Sequence, residues 1–184
     1  AKEMVIVAID GNCGAGKTTL ANFIQDVYDC HVFHMDDFFL TPKLRTKERL
    51  QEIGGNVDYV RFRQEVIENL HKNCKFQYGI YDCKRDLLRQ HEWVTPKKLN
   101  IIEGTYSMHP TLIYNYDLKI FLHVNKTEQQ SRILKRCGPS MLEKFIYEWI
   151  PLEDRYFKKF KIEEQSDLVL NTTVGICPGC SAQY

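Results

Sequence analysis

Short continuous runs of hydrophobic residues recur along this chain, and polar residues bound each of them. Runs of this length are typical of strands that are buried on both faces of a parallel sheet. The pattern predicts four strands, and a fifth could follow late in the sequence. In chain order, these segments are residues 4–9, 31–35, 99–103, 118–124 and 167–173.

Between these runs, hydrophobic residues recur three and four positions apart, which is the spacing of an amphipathic helix. The first such helix should lie on the sheet by one buried stripe. Asp58 has the position of an N-terminal residue for the second helix, and Pro151 should end or kink the last one. The apolar stripes are Leu20, Phe23, Ile24 and Val27, then Phe62, Val66, Ile67 and Leu70, and then Met141, Leu142, Phe145, Ile146 and Trp149.

Strands that alternate with helices predict an α/β protein with three layers and a mostly parallel central sheet. We interpret residues 1–184 as one domain because no linker, repeat or low-complexity tract divides them. Residues 40–56 form a long polar connection with room for one helical turn, and the pattern does not place residues 76–96. An irregular tail begins at residue 175.

The first strand leads into the pattern Gly-x-x-x-x-Gly-Lys-Thr, and the first predicted helix follows directly. This context predicts a phosphate-binding loop, because small residues let backbone N–H groups and the helix N-terminus face a triphosphate. Lys17 would reach the outer phosphates, and the Thr18 hydroxyl would ligate Mg²⁺. The motif is shared by kinases, GTPases, motors and transport ATPases, so it predicts a nucleotide without a reaction. The expected nucleotide-binding residues are Gly11, Asn12, Cys13, Gly14, Ala15, Gly16, Lys17, Thr18 and Thr19.

Acidic residues follow two of the other predicted strands. Asp36 and Asp37 come directly after the second strand, and Glu103 ends the third. Because the carboxyl ends of parallel strands meet at one edge of a sheet, these acids should lie near the phosphate-binding loop. Glu103 is the candidate for holding the metal or its water, although a solvated strand end would show the same pattern.

Composition narrows the range of partners. Lys and Arg total 25 against 24 Asp and Glu, a net charge of +1 that favours neither nucleic acid nor a membrane surface as a partner. No apolar run approaches the length of a membrane span, and we expect a cytoplasmic protein. The 7 cysteines are irregularly spaced and do not indicate a disulfide framework. Cys177 and Cys180 have C-x-x-C spacing, but a zinc site would need a second pair of ligands.

Basic residues crowd the C-terminal end of a helix predicted at residues 129–137. Arg132, Lys135 and Arg136 would suit the helix dipole in any protein. They would equally suit a lid, near residues 132–142, that closes over a transferring phosphate. The residues alone leave both interpretations open.

Three of these segments together resemble the uridine kinase and nicotinamide riboside kinase group of phosphate-loop kinases. They are residues 11–21, the Asp-Asp-Phe-Phe at residues 36–39, and the Ile-Ile-Glu-Gly at residues 101–104. Residues 54–62 and 149–157 are similar to segments of bacterial uridine kinase-like proteins. The resemblance spans about residues 5–170 and implies a nucleoside kinase-like fold.

What the resemblance implies is transfer of the γ-phosphoryl group from ATP, with Mg²⁺, to the 5′-hydroxyl of a ribonucleoside such as uridine or cytidine. Asp36 would accept the hydroxyl proton, and Asp58 would hold the ribose hydroxyls. Lid arginines would contact the phosphates, with Arg136 acting in catalysis and Arg132 in nucleotide binding. The remaining expected acceptor contacts are Phe39, Tyr81 and Arg85.

The chain also departs from the uridine kinase pattern. Asp37 and Phe39 stand where uridine kinases have Ser and Tyr, as in nicotinamide riboside kinases, and the lid has fewer arginines. Nicotinamide riboside, pantothenate or another alcohol therefore stays open as the acceptor. A regulatory nucleotidase is a further alternative, although Thr127-Glu128 after Asn125-Lys126 breaks the guanine-specific N-K-x-D pattern. Assembly into a homo-oligomer is also left open.

Overall fold

A computed structural model describes residues 3–90 and 93–173. Five strands form one sheet in the order β2-β5-β1-β6-β7, and all neighbours pair in parallel, whereas β3 and β4 form a separate antiparallel pair. The strands are β1 (Val5–Gly11), β2 (Cys30–His34), β3 (Gly79–Asp82), β4 (Leu87–Gln90), β5 (Leu99–Glu103), β6 (Leu118–His123) and β7 (Leu168–Asn171). The prediction of a parallel α/β sheet is confirmed.

Helices cover both faces of this sheet. Alternate side chains of β1 point to opposite faces, so that Ile6 and Ala8 join one core cluster while Val7 and Ile9 join another. The helices are α1 (Lys17–Val27), α2 (Lys47–Gln51), α3 (Tyr59–Phe62), α4 (Glu68–Lys72), α5 (Lys126–Cys137), α6 (Pro139–Lys144) and α7 (Ile150–Phe160), with π-helical turns at Arg63–Ile67 and Phe145–Trp149. Short 3₁₀ turns lie at Met35–Phe38, Pro42–Leu44 and Ile113–Asn115. None of the described helices combines the length and the apolar run that crossing a membrane requires.

The buried face of α1 agrees with the predicted one in part. Leu20 and Ile24 are partly buried against the core as predicted, whereas Phe23 and Val27 are 65% and 59% exposed, and Ala21 is the fully buried apolar position. Lys17 lies on the same face as Ala21 and Ile24, which follow it by four and seven positions, because its side chain turns back toward the preceding loop. Lys17 and Ala21 therefore complete a buried face that the predicted stripe described correctly at Leu20 and Ile24 and wrongly at Phe23 and Val27.

The second predicted helix is confirmed. Asp58 caps α3 by accepting a hydrogen bond from the Arg61 N–H at 3.0 Å. The helix continues through a π-helical turn into α4, and its predicted stripe lies entirely in the core. Its buried residues are Phe62, Val66, Ile67 and Leu70.

Pro151 does not end the last helix, so that part of the prediction was wrong, while a kink at this position stays a prediction. The π-helical turn before it pairs the Ile150 N–H with the Phe145 carbonyl five residues earlier. Pro151 then falls in the first turn of α7, where a missing N–H costs little. The wide turn lets α6 and α7 form one continuous helical run from Pro139 to Phe160.

Candidate active site

Three glycines shape the loop between β1 and α1. Gly11 has φ of 137°, and a Cβ there would lie 2.1 Å from the Leu122 carbonyl oxygen on β6. Gly14 and Gly16 also have positive φ, but a Cβ at Gly16 would meet nothing within 4 Å. Gly16 precedes α1 and supplies no side-chain cap to its first N–H groups. The loop therefore offers uncapped backbone donors and a helix N-terminus, which is the arrangement that binds phosphate.

Lys17 is folded back over the start of the loop. Its Nζ donates to the carbonyl oxygens of Gly11 and Asn12 at 2.8 and 2.9 Å, and to the Thr105 hydroxyl at 3.1 Å. The residue is only 9% exposed, so its charge lies within the loop. Asn12 also accepts a hydrogen bond from the Val124 N–H through its side-chain oxygen, at 3.3 Å.

The sheet brings Thr18 and Glu103 together. The Thr18 hydroxyl donates to Glu103 Oε1 at 3.1 Å, and the His34 Nδ1 lies 2.5 Å from the same oxygen. His34 and Glu103 are paired positions of β2 and β5. The hydrogen bond to Glu103 raises the pKa of His34. His34 was not identified from the sequence, although its position directly before the Asp36 segment was a usable signal.

Asp36 lies in the 3₁₀ turn that follows β2, and the residue is exposed. Partial removal from water raises the pKa of its carboxyl, and the nearby Glu103 charge raises it further. Lys17 and Arg136 act in the opposite direction. Two acids and two basic side chains thus act on one another at this end of the sheet, as expected for strands β2 and β5.

A cavity of about 600 Å³ lies beside this turn, a size typical of small-molecule sites. Asp58 is on its wall and is 8% exposed. Its N–H donates to the Phe38 carbonyl at 2.7 Å, which ties the cavity to the turn that carries Asp36. The other lining residues are Leu40, Lys43, Leu44, Thr46, Arg49, Val60, Arg61, Gln64 and Glu65.

Asp36 is not on this cavity wall, and neither are the three other expected acceptor residues, Phe39, Tyr81 and Arg85. Phe39 forms a β-bridge with Val57 and packs against the core. The Tyr81 hydroxyl donates to Asp86 and accepts from Arg45, and the residue is 4% exposed.

Arg85, the third of these, is exposed in the turn between β3 and β4, where its N–H donates to the Asp82 carbonyl at 3.2 Å. The sequence did not place this hairpin.

The two expected lid arginines have different environments. Arg132 donates to the Gly14 carbonyl at 3.2 Å and to the Thr172 carbonyl at 2.5 Å, so it connects the loop to the residue after β7. Arg136 is exposed, with its guanidinium 6.0 Å from the Phe145 ring centre, and its charge reaches Asp36. Arg132 is held in place by these hydrogen bonds, whereas Arg136 is exposed.

Two buried acids under the loop were missed from the sequence. Asp10, fully buried, accepts the N–H groups of Gly11 and Met108 at 2.7 and 2.9 Å and the Tyr156 hydroxyl at 2.8 Å. Glu153 accepts the Cys13 N–H at 3.0 Å. Asp10 could have been identified from the sequence, because it is an acid that interrupts the first apolar run. No local sequence pattern indicates a role for Glu153.

The donor set fits a magnesium ion that is shared with phosphate. In residues 3–90 and 93–173, no three His, Cys, Asp or Glu side chains gather as a complete metal cluster. Thr18 and Glu103 supply a hydroxyl and a carboxylate, and Mg²⁺ commonly takes one or two protein oxygens together with substrate phosphates. Cys177 and Cys180 lie outside the described residues, so their C-x-x-C spacing stays a sequence observation.

No model of a known protein family matches this chain. Curated uridine kinases from Anoxybacillus flavithermus and Geobacillus kaustophilus are 26% and 27% identical to it over 150 residues. These alignments cover 73% of this chain and 66% of each relative, so the chain spans slightly less than two thirds of their length.

A solved structure described as a possible uridine kinase from Bacillus stearothermophilus has a TM-score of 0.72 to this chain at 20% identity. The match covers 92% of this chain and 90% of that one. The resemblance in sequence to uridine kinases is thereby confirmed, and the fold is that of uridine kinase-like phosphate-loop kinases.

Proposed function

We propose that this chain is an ATP-dependent kinase whose acceptor is the 5′-hydroxyl of a ribonucleoside, with uridine and cytidine as the first candidates. The observation that carries the proposal is the position of Asp36, which is exposed after the carboxyl end of β2 and interacts with the charges of Glu103, Lys17 and Arg136. The similarity to proteins named uridine kinase supports the choice of acceptor.

On the donor side, the loop amides and the N-terminus of α1 would bind the phosphates of ATP. Lys17 would exchange its bonds to the Gly11 and Asn12 carbonyls for phosphate oxygens, since its Nζ already lies at the loop. Thr18 and Glu103 would hold Mg²⁺, which neutralises charge on the transferring group when bound. Arg136 would add a second positive charge from the lid side.

On the acceptor side, Asp36 would accept the proton of the attacking hydroxyl. Because its pKa is raised toward neutral pH, the Asp36 carboxylate is a better proton acceptor than an ordinary carboxylate. Holding the hydroxyl in line with the phosphate would supply roughly 7–11 kcal/mol of the barrier, and the base a further 10²- to 10⁴-fold in rate, as rough magnitudes. The cavity beside Asp58 has the volume to hold the nucleoside.

Nicotinamide riboside is the second candidate acceptor, because Asp37 and Phe39 replace the Ser and Tyr of uridine kinases. The Tyr78 hydroxyl lies 3.4 Å from the Asp37 carboxylate, and the Asp37 carbonyl accepts from Arg61 at 3.0 Å. The Asp37 backbone is thus fixed beside the cavity wall. Its carboxylate would favour a cationic base over a neutral one.

The test is an acceptor panel. The purified chain is incubated with MgATP and uridine, cytidine, adenosine, guanosine, nicotinamide riboside or pantothenate, and products are identified by mass. We expect one 5′-monophosphate, with ADP formation that depends on the acceptor. Phosphorylation of pantothenate alone, or hydrolysis of ATP at the same rate without any acceptor, would overturn the proposal.

A further inference from the structure

Glu153 on α7 is a buried acid that the proposed reaction does not use. It is 5% exposed, and its Oε2 accepts the Cys13 N–H at 3.0 Å. Its other oxygen lies 3.5 Å from the Thr105 hydroxyl, which accepts a hydrogen bond from Lys17. Burial raises the pKa of this carboxyl, while Lys17 and the Cys13 N–H lower it. Burying a carboxylate costs free energy unless the group is paired and hydrogen-bonded.

Cys13 also contacts α5 and the helical run from α6 to α7 through its carbonyl and its side chain. The Gln129 side chain on α5 donates to the Cys13 carbonyl at 3.1 Å. The Cys13 side chain packs in a cluster with Ile133, Phe145 and Ile150. These residues belong to α5 and to the run that continues from α6 into α7. The N–H, the carbonyl and the side chain of Cys13 therefore each contact this helical region.

We infer that Glu153 is a positioning residue for the nucleotide site, which clamps the phosphate-binding loop to α7 through the Cys13 amide. Because the Cys13 N–H is bonded to α7, the loop is fixed at the residue directly before Gly14. The inference rests on the proposed function only in requiring that the loop binds a nucleotide.

The role is that of a hydrogen-bond acceptor, and this distinguishes two substitutions. Glu153→Ala leaves the buried Cys13 N–H unpaired, whereas the Gln side-chain oxygen in Glu153→Gln can still accept it. Asp154→Asn is a matched control on the same helix, because Asp154 forms an exposed ion pair with Lys126 and does not contact the loop within the described chain.

The experiment measures MgATP affinity by calorimetry for the wild type and the three variants, after thermal melting has shown that each is folded. We expect Glu153→Ala to weaken binding roughly tenfold, because the free loop then loses its fixed geometry and must be ordered when the nucleotide binds. Glu153→Gln should stay within about threefold of the wild type, and Asp154→Asn should match it. Equal affinity in Glu153→Ala, or a loss in Glu153→Gln as large as in Glu153→Ala, overturns the inference.

A second measurement uses the wild type alone, in case Glu153→Ala does not fold. Amide hydrogen exchange observed by NMR should show the Cys13 N–H protected before nucleotide is added. Exchange at the rate of an unpaired surface amide would overturn the clamp. A protected Cys13 N–H in a chain that binds no MgATP would leave the clamp standing and remove the proposed function instead.

Discussion

The Nδ1 atom of His34 lies 2.5 Å from Oε1 of Glu103, across the paired strands β2 and β5. Glu103 is 4% exposed, so few groups other than His34 and Thr18 can orient its carboxylate. Because groups behind a metal ligand set its direction and basicity, His34 should affect how well Glu103 holds Mg²⁺.

We therefore expect His34→Phe to raise the Mg²⁺ concentration needed for half-maximal turnover, by roughly tenfold. The phenyl ring keeps much of the volume of the imidazole and removes the hydrogen bond. A magnesium titration at saturating ATP and acceptor measures this. His71→Asn, an exposed change on α4, serves as the control. An unchanged titration curve in His34→Phe would show that Thr18 alone suffices to orient Glu103.

Lys17→Ala should abolish detectable turnover and weaken MgATP binding. The substitution removes the buried charge from the loop, together with one of the hydrogen-bond donors to the Gly11 and Asn12 carbonyls. Both ADP formation and calorimetric binding should fall, the former by at least about 10³-fold if charge stabilisation of the transferring group is lost. Lys126→Ala, which breaks an exposed ion pair, should retain both.

Asp36→Asn should lower kcat by roughly 10²- to 10⁴-fold while MgATP affinity stays near the wild-type value. The amide keeps the shape of the side chain but cannot accept a proton. Steady-state kinetics with the acceptor found in the panel, together with a binding titration, separates the two quantities. Turnover close to wild type would remove Asp36 from the role of base.

The same residue predicts a pH profile. Removal from water and the Glu103 charge raise the pKa of Asp36, so its carboxylate form is lost on acidification at a higher pH than for an ordinary Asp. The acid limb of kcat/KM should accordingly lie above the usual Asp range. In Asp36→Asn, the residual activity should lack that limb.

Gly11→Ala and Gly16→Ala should differ in stability. The Cβ at Gly11 would lie 2.1 Å from the Leu122 carbonyl oxygen, so the strands would have to separate, at a cost of about 3 kcal/mol or more. At Gly16 there is open space, and only the backbone strain of φ 94° remains, about 1–2 kcal/mol. Urea unfolding should give the larger loss for Gly11→Ala. Similar losses would mean that β6 accommodates the methyl group.

His109 should make the protein less stable toward mildly acidic pH. The ring stacks on Tyr59 with centroids 4.0 Å apart, and burial lowers its pKa to about 4. Between pH 4 and 6.5 the unfolded chain binds the additional proton, so the free energy of unfolding falls as pH drops through this window. The full shift corresponds to about 3 kcal/mol.

Urea unfolding at several pH values, with the wild type compared to His109→Gln, isolates this contribution from the buried acids. The wild type should lose more stability than the variant between pH 7 and pH 4.5. Parallel pH dependences would show that the His109 ring is not kept neutral by burial.

The sequence predicted those parts of the site that local pattern determines. The apolar runs placed β1, β2 and β5, and their carboxyl ends placed Lys17, Asp36 and Glu103 at one edge of the sheet. It could not predict contacts made by residues far apart in the chain. Glu153 reaches the loop from 140 residues away, and no spacing rule connects it to Cys13. The exposure of Phe23 and Val27 on α1 was missed because apolar spacing does not show that Lys17 lies on the buried face of that helix.

Thr172 connects the C-terminal part of the described chain to the proposed nucleotide site. Its hydroxyl donates to the Ala15 carbonyl at 2.9 Å, and its carbonyl receives the Arg132 guanidinium that also holds Gly14. A shortened version of this chain should therefore keep Thr172. A version that stops at β7 would remove a support of the loop proposed to bind phosphate, although Thr172 and Ala15 are 157 positions apart in the sequence.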